Sequence, residues 1–173
     1  FEPRDAVVRR LYAAVGVAEP PPPPAAVAAH DDDEAKAAKE EHKAVQTFGD
    51  LAAQSGRATV IGMGGSGKTM LAAALARDVA VRGAFDKVLW ATLGQTPNVA
   101  ALQGSLYKQL TDATLPAGVS PEAARAELSK ASREIKVLLL LDDVWDAKDE
   151  RPLAFLDLGP ASRSRCIVTT RIR

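Results

Sequence analysis

The spacing of apolar residues changes several times along the chain, and each change marks an element. Val7, Val8, Leu11, Tyr12 and Val15 fall near one helical face and predict a short amphipathic helix over Asp5–Val15. Ala58-Thr59-Val60-Ile61 is a β-branched apolar run of strand length. Leu71, Leu75 and Val79 then recur every four residues, flanked by Ala72, Ala76 and Ala80, which predicts a helix over Lys68–Val81. Val88, Leu89, Trp90 and Ala91 read as a strand within Lys87–Leu93. Leu102, Leu106 and Leu110 predict a helix over Val99–Leu110, and Pro121, suited to a first helical turn, opens another that runs to Arg133. Lys136–Asp142 is almost continuously apolar, the pattern of a strand covered on both faces. A short helix is expected near Glu150–Phe155, and Arg165–Thr170 reads as the last strand. From Arg57 onward strand and helix alternate. That argues for an α/β fold of three layers, a parallel sheet with right-handed crossovers and helices on both sides.

The first third of the chain is organised differently. Residues 1–15 form the leading helical segment, and 16–33 a proline-rich and acidic linker or insertion. Its Pro20–Pro24 run has no N–H donors and favours extended polyproline II, which makes it a spacer. Asp31-Asp32-Asp33-Glu34 is placed to open a helix, and residues 34–55 predict a mostly polar one with a solvated charged face. The α/β core follows over 56–173.

The chemistry concentrates at two strand ends. Gly62-Met63-Gly64-Gly65-Ser66-Gly67-Lys68-Thr69 fits the G-x-x-x-x-G-K-[ST] phosphate-binding loop, between a predicted strand and a predicted helix. Its glycines permit backbone angles closed to other residues, so successive N–H groups can turn toward phosphate oxygens. The helix N-terminus adds partial positive charge. Lys68 supplies a full charge for the β- and γ-phosphates, and Thr69 a hydroxyl for Mg²⁺. The second site is Val137-Leu138-Leu139-Leu140-Leu141-Asp142-Asp143, an apolar strand ending in two carboxylates. A buried strand carries an unpaired acid only for a reason, because desolvating the charge is costly. Beside a phosphate-binding loop, Asp142 would hold Mg²⁺ and Asp143 would polarise an attacking water.

Charge and composition narrow the partners. Lys+Arg and Asp+Glu are equal at 22 each, which leaves no electrostatic case for nucleic acid or an anionic membrane surface. No apolar run is long enough to span a bilayer. The single cysteine, Cys166, excludes an internal disulfide, fits a reducing, cytoplasmic setting, and sits in an apolar run as a small core residue.

The P-loop, Leu141-Asp142-Asp143-Val144-Trp145 and Ile167-Val168-Thr169-Thr170-Arg171 together resemble the NB-ARC domain. This is a STAND-class P-loop NTPase, the nucleotide switch of plant NLR resistance proteins and animal apoptosis scaffolds. Phe85-Asp86-Lys87-Val88-Leu89-Trp90 is similar to the family's second-strand motif. Phe1-Glu2-Pro3-Arg4-Asp5 is similar to its leading hydrophobic-Gly-Arg-Glu element, with Pro3 in place of glycine and Asp5 in place of glutamate. The resemblance implies an adenine contact at Arg4. At Met70, where many members carry a second threonine, it leaves only a backbone N–H for the α-phosphate. It further implies the additional-strand class of P-loop fold, with Arg165–Thr170 between the P-loop strand and the acidic strand, so that Arg171 faces the γ-phosphate. Trp90 and Trp145 are assigned to packing. A sheet and domain incomplete at the C-terminus are also implied.

The function expected from this resemblance is an ATP/ADP-binding, Mg²⁺-dependent switch with slow hydrolysis, in which ADP holds a closed state and ATP an open, oligomerising one that engages protein partners. Two alternatives stay open: a turnover ATPase or P-loop kinase, and a site where nucleotide is purely structural.

Overall fold

The computed structural model describes residues 4–19, 48–54 and 56–171. The Pro20–Pro24 spacer, the Asp31–Glu34 run and most of the predicted polar helix lie outside the described residues, as do the side chains of Arg4 and of residues 48–54. Helix α1 (Arg4–Val15) comes first. Strands β1 (Phe48–Gln54) and β2 (Arg57–Gly62) pair antiparallel, with Gln54 opposite Arg57 across the turn at Gly56. Then follow α2 (Lys68–Arg77), α3 (Val79–Ala84), β3 (Lys87–Gly94), α4 (Val99–Thr111), α5 (Pro121–Ala131) and β4 (Val137–Val144). A single turn, α6 (Ala147–Glu150), runs into a 3₁₀ turn at Arg151–Leu153 before β5 (Arg165–Thr170) closes the order.

The sheet has the spatial order β1-β2-β5-β4-β3. Strands β2, β5, β4 and β3 are all parallel, and β1 adds an antiparallel edge. The last strand in sequence is therefore the central one, between β2 and β4, as the additional-strand class requires. Three parallel strands then end side by side, so the loop after β2, the end of β5 and the end of β4 face one another.

Two expectations need correction. Residues 48–54 were expected to end the polar helix, but they form β1. The unpaired edge of β2 offers a ladder of backbone donors and acceptors, and a tight reversal at Gly56 brings the preceding segment onto it; that tertiary pairing outweighs the helix preference of Ala52 and Ala53. The helix expected over Lys68–Val81 is two helices. Asp78 takes an extended backbone (φ −60°, ψ 134°), and its Oδ1 accepts from the N–H groups of Ala80 and Val81, capping α3. The periodic face is broken there, and Val79, expected on the buried side, is 86% exposed.

Side chains of β4 divide the core. Leu138 and Leu140 point to one face, where they join Ala58, Val60 and Ile167 beneath α1, α2 and α3. Val137, Leu139 and Leu141 point to the other, with Leu106 and Leu110 of α4, Leu128 of α5, Leu153 and Val168. Alternation along a strand buried on both sides produces both layers from one apolar run. α1 belongs to the first layer through Val7, Leu11, Tyr12 and Val15. The Tyr12 hydroxyl meets Asp78 at the break between α2 and α3, and burial together with this carboxylate pushes the phenol up to about 12. On the opposite layer Gln103, 1% exposed, donates through Nε2 to the carbonyls of Pro121 and Pro152 at 2.9 Å each, tying α4 to the start of α5 and to the 3₁₀ turn.

Candidate functional site

The loop after β2 is shaped by its own backbone. Gly65 and Gly67 take φ of 78° and 80°, left-handed values that strain residues with a Cβ. The Met63 carbonyl accepts from the Ser66 amide (3.3 Å), the Ser66 hydroxyl (2.8 Å) and Lys68 Nζ (2.8 Å). Lys68 also donates to the Gly62 carbonyl at 2.7 Å. Its ammonium thus lies over the loop, 7% exposed, with burial first and the Arg171 charge second holding its pKa below the ordinary value. Two cations that repel each other across a cleft favour an anion between them.

The N-terminus of α2 is open. Its N-cap residue, Gly67, has no side chain to accept a bond, whereas Asp78, Asn98, Ser120 and Asp146 cap α3, α4, α5 and α6. First-turn amides have no partner within a helix, so those of Lys68, Thr69 and Met70 are available to a ligand, reinforced by the helix dipole. The Met63 and Met70 side chains stand outside, 63% and 70% exposed, and bring no polar group to the loop.

Across the cleft, β4 and β5 are linked by hydroxyls. Pairing shifts register between Leu141 and Val144, an inserted residue that makes a β-bulge at the two acids. Asp143 occupies the left-handed region at φ 54°, an uncommon conformation for a residue with a side chain. Thr169 Oγ1 holds the bulge: it accepts from the Asp143 amide at 2.9 Å and donates to Asp142 Oδ1 at 2.7 Å. Thr170 Oγ1 donates to the Val144 carbonyl at 2.7 Å. Neither threonine was singled out from the sequence. The available signal was two adjacent hydroxyls closing a buried strand.

Asp142 is 2% exposed and accepts a second bond from Thr69 Oγ1 at 2.9 Å. Two hydroxyls are its partners, and no ion pair among the described residues neutralises it. A buried carboxylate beside a P-loop hydroxyl, with oxygen donors alone, suits a hard cation such as Mg²⁺. No group of three or more His, Cys, Asp or Glu among the described residues forms a metal cage.

Arg171 follows β5 and reaches over the loop. Its Nε lies 3.4 Å from Asp143 Oδ1, and its guanidinium carbon sits 4.7 Å from the centre of the Trp145 ring. Trp145 is therefore not only a packing residue. A Cβ on Gly64 would lie 3.1 Å from Arg171 Nη1, so glycine at that position makes room for the arginine. Gly64, Lys68, Thr69, Asp143, Thr169 and Arg171 line one cleft of about 270 Å³. Arg4 opens α1 at the chain's leading end. A larger cavity of about 700 Å³, bordered by Arg133, Lys136, Asp157 and Arg163, lies where the chain enters β4 and β5, at the opposite strand ends from the P-loop.

A sequence profile of the NB-ARC domain family matches residues 40–173. The chain belongs to the NB-ARC family. It is thus a nucleotide-binding domain with the α/β P-loop fold expected from its motifs. Among similar proteins of Arabidopsis thaliana is "Probable disease resistance protein At5g04720", 41% identical over 97 residues, 56% of this chain and 11% of that protein. Another is "Disease resistance protein RPM1", 28% identical over 118 residues, 65% of this chain and 13% of that protein. The chain spans little more than a tenth of the length of these relatives. No helix among the described residues is long and apolar enough to cross a membrane.

Proposed function

We propose that this NB-ARC domain is an ATP/ADP switch dependent on Mg²⁺, working in disease-resistance signalling in a cytoplasmic setting. The observation that carries the reading is the convergence of Lys68, Thr69 with Asp142, and Arg171 on one cleft, from three neighbouring strand ends. In this reading the loop amides from Gly62 to Met70 and the Lys68 ammonium take up the phosphates. Thr69 and Asp142 would hold Mg²⁺. When bound, the ion neutralises phosphate charge and fixes its orientation.

Arg171 supplies the discrimination. A guanidinium facing a γ-phosphate gains a charge-assisted contact that ADP cannot offer. Only such a differential contact can shift a conformational equilibrium. Asp143 is assigned the water that attacks the γ-phosphate, taking a proton as the nucleophile adds. Its ion pair with Arg171 supports slow rather than rapid turnover, because the carboxylate is engaged until the arginine is drawn away. Self-oligomerisation and protein partners belong to the ATP state in this scheme. Arg4 is assigned a contact with adenine from the leading element.

The test is calorimetry with ATP and ADP in Mg²⁺. Lys68→Ala should weaken both nucleotides by about 1.5–3 kcal/mol, the range for a bond to a charged group. Arg171→Ala should weaken ATP about tenfold relative to ADP, or roughly 1.4 kcal/mol. Unchanged affinity in Lys68→Ala, or an unchanged ATP/ADP ratio in Arg171→Ala, would defeat the reading.

A further inference from the structure

Trp145 carries two observations that a packing role leaves unexplained. Its ring lies under the Arg171 guanidinium, 4.7 Å from centroid to carbon. Its Nε1 is buried without a hydrogen-bond partner among the described residues, so the ring is held in place without satisfying its one polar group. The backbones on either side are fastened together. Thr170, next to Arg171, donates to the carbonyl of Val144, next to Trp145, at 2.7 Å. The arginine and its platform are thus set against each other by a bond one residue away.

The chemistry of the pairing matters. A guanidinium has two kinds of surface: flat faces that rest on π systems, and an edge bearing five N–H donors. An aromatic ring occupies a face and leaves the edge free. Here Nε faces Asp143 Oδ1 at 3.4 Å, while Nη1 is the atom nearest to where a Cβ on Gly64 would lie, at 3.1 Å. Seated on the ring, the same cation can address the carboxylate with one part of its edge and the loop with another. Arg171 is 43% exposed at its side chain, so without a platform its long stem has room to turn away into solvent.

We propose that Trp145 is the positioning residue for Arg171, a ring on which the guanidinium shifts between Asp143 and the γ-phosphate of a bound nucleoside triphosphate. The proposal rests on Arg171 sensing that phosphate. Without triphosphate the arginine restrains the Asp143 carboxylate; with triphosphate it stays on the ring but turns its edge to the new anion. Trp145 touches no nucleotide and acts on ATP recognition through the arginine alone.

The experiment compares ATP and ADP affinities in the whole chain and in Trp145→Phe, Trp145→Leu, Arg171→Ala and the Trp145→Leu/Arg171→Ala double variant. Trp145→Leu should lower the ATP/ADP affinity ratio about fivefold and leave ADP affinity as it was. Trp145→Phe, which keeps an aromatic face, should stay within about twofold of the parent. In the Arg171→Ala background, Trp145→Leu should change nothing further, because its target is gone. A Trp145→Leu ratio equal to the parent's, or an equal loss with and without Arg171, overturns the proposal. If Arg171→Ala itself leaves the ratio unchanged, the sensing role falls and Trp145 with it; that pattern differs from a failure of Trp145 alone, where only Arg171→Ala acts. Trp145 fluorescence in a Trp90→Phe chain provides a second measurement that does not depend on how well the leucine variant folds. ATP should shift the emission, ADP should not, and Arg171→Ala should abolish the difference. Identical responses to the two nucleotides count against the proposal.

Discussion

Thr169 is the most informative residue to change, because one hydroxyl joins both acids to the central strand. It accepts from the Asp143 amide at 2.9 Å, donates to Asp142 Oδ1 at 2.7 Å, and is 1% exposed. Thr169→Val keeps the branched shape and removes the hydroxyl. A hydrogen bond to a carboxylate contributes about 1.5–3 kcal/mol, and a stranded buried N–H costs about 1–3 kcal/mol. The two losses share one atom and are not independent, so we expect about 2–4 kcal/mol in total. The new methyl also cannot remain at 2.7 Å from a carboxylate oxygen, so Asp142 must move away from Thr69 as well. Thr169→Ser is the control: it retains the hydroxyl and loses one methyl, at about 1 kcal/mol. Urea unfolding of the three proteins gives the order directly, and the Mg²⁺-dependent part of nucleotide affinity should fall in the valine variant and persist in the serine one. Thr169→Val within about 0.5 kcal/mol of the parent, or serine costlier than valine, would refute the assignment of Thr169 as the link between the two acids.

Four further outcomes follow from the structure. Asp142→Ala should weaken Mg²⁺-dependent binding, whereas Asp143→Ala should bind well but hydrolyse slowly. Asp143→Gly should unfold about 1 kcal/mol harder than Asp143→Ala, because glycine takes φ 54° without strain; equal denaturation midpoints would remove strain from the account. Lys68 has a folded-state pKa below its ordinary 10.5, so in the interval beneath 10.5 the unfolded chain binds more protons and stability rises with pH through it. Lys68→Met should lose that rise in urea midpoints taken from neutral to alkaline pH, measured as a difference from the parent because the raised Cys166 and Tyr12 groups act in the opposite sense. Burial pushes the Cys166 thiol up to about 12, so its alkylation at pH 8 should follow global unfolding across a urea series; rapid labelling of the folded chain would contradict that.

How much of this could be read from the sequence divides by range. The P-loop was legible because its parts lie within a few residues and bracket themselves with a strand and a helix. The apolar run ending in Asp142 and Asp143 was legible for the same reason. The central place of Arg165–Thr170 came only through family resemblance, since strand order leaves no periodic trace. β1 was missed because Ala52 and Ala53 favour helix locally, and the deciding force, an open edge on β2, is a neighbour's property. The break at Asp78 could have been found: an aspartate two residues before an amide it accepts from is a capping signal, here overridden by the regular leucine spacing. Thr169 and the Trp145–Arg171 pair were not legible, because each contact joins residues more than twenty positions apart. Their meaning depends on β5 lying beside β4.

That central strand has a consequence for the order in which the molecule is made. During synthesis the P-loop leaves the ribosome about a hundred residues ahead of Thr169 and Thr170, which at ordinary elongation rates is roughly 5–20 s. In that interval β2 and β4 have no hydrogen bonds to each other, since β5 separates them in the finished sheet. Asp142 lacks the Thr169 bond, the bulge lacks its holder, and Arg171 has yet to reach Trp145. We therefore expect the nascent chain to carry a complete phosphate-loop sequence before it can hold a nucleotide. In the finished fold, β5 in the middle of the sheet joins these parts of the cleft. A nucleotide cleft built this way is completed only when its central strand is in place. Ribosome-bound chains stalled before and after Arg165 has emerged should accordingly differ sharply in retention on immobilised ATP; equal retention would show that the cleft forms without its central strand.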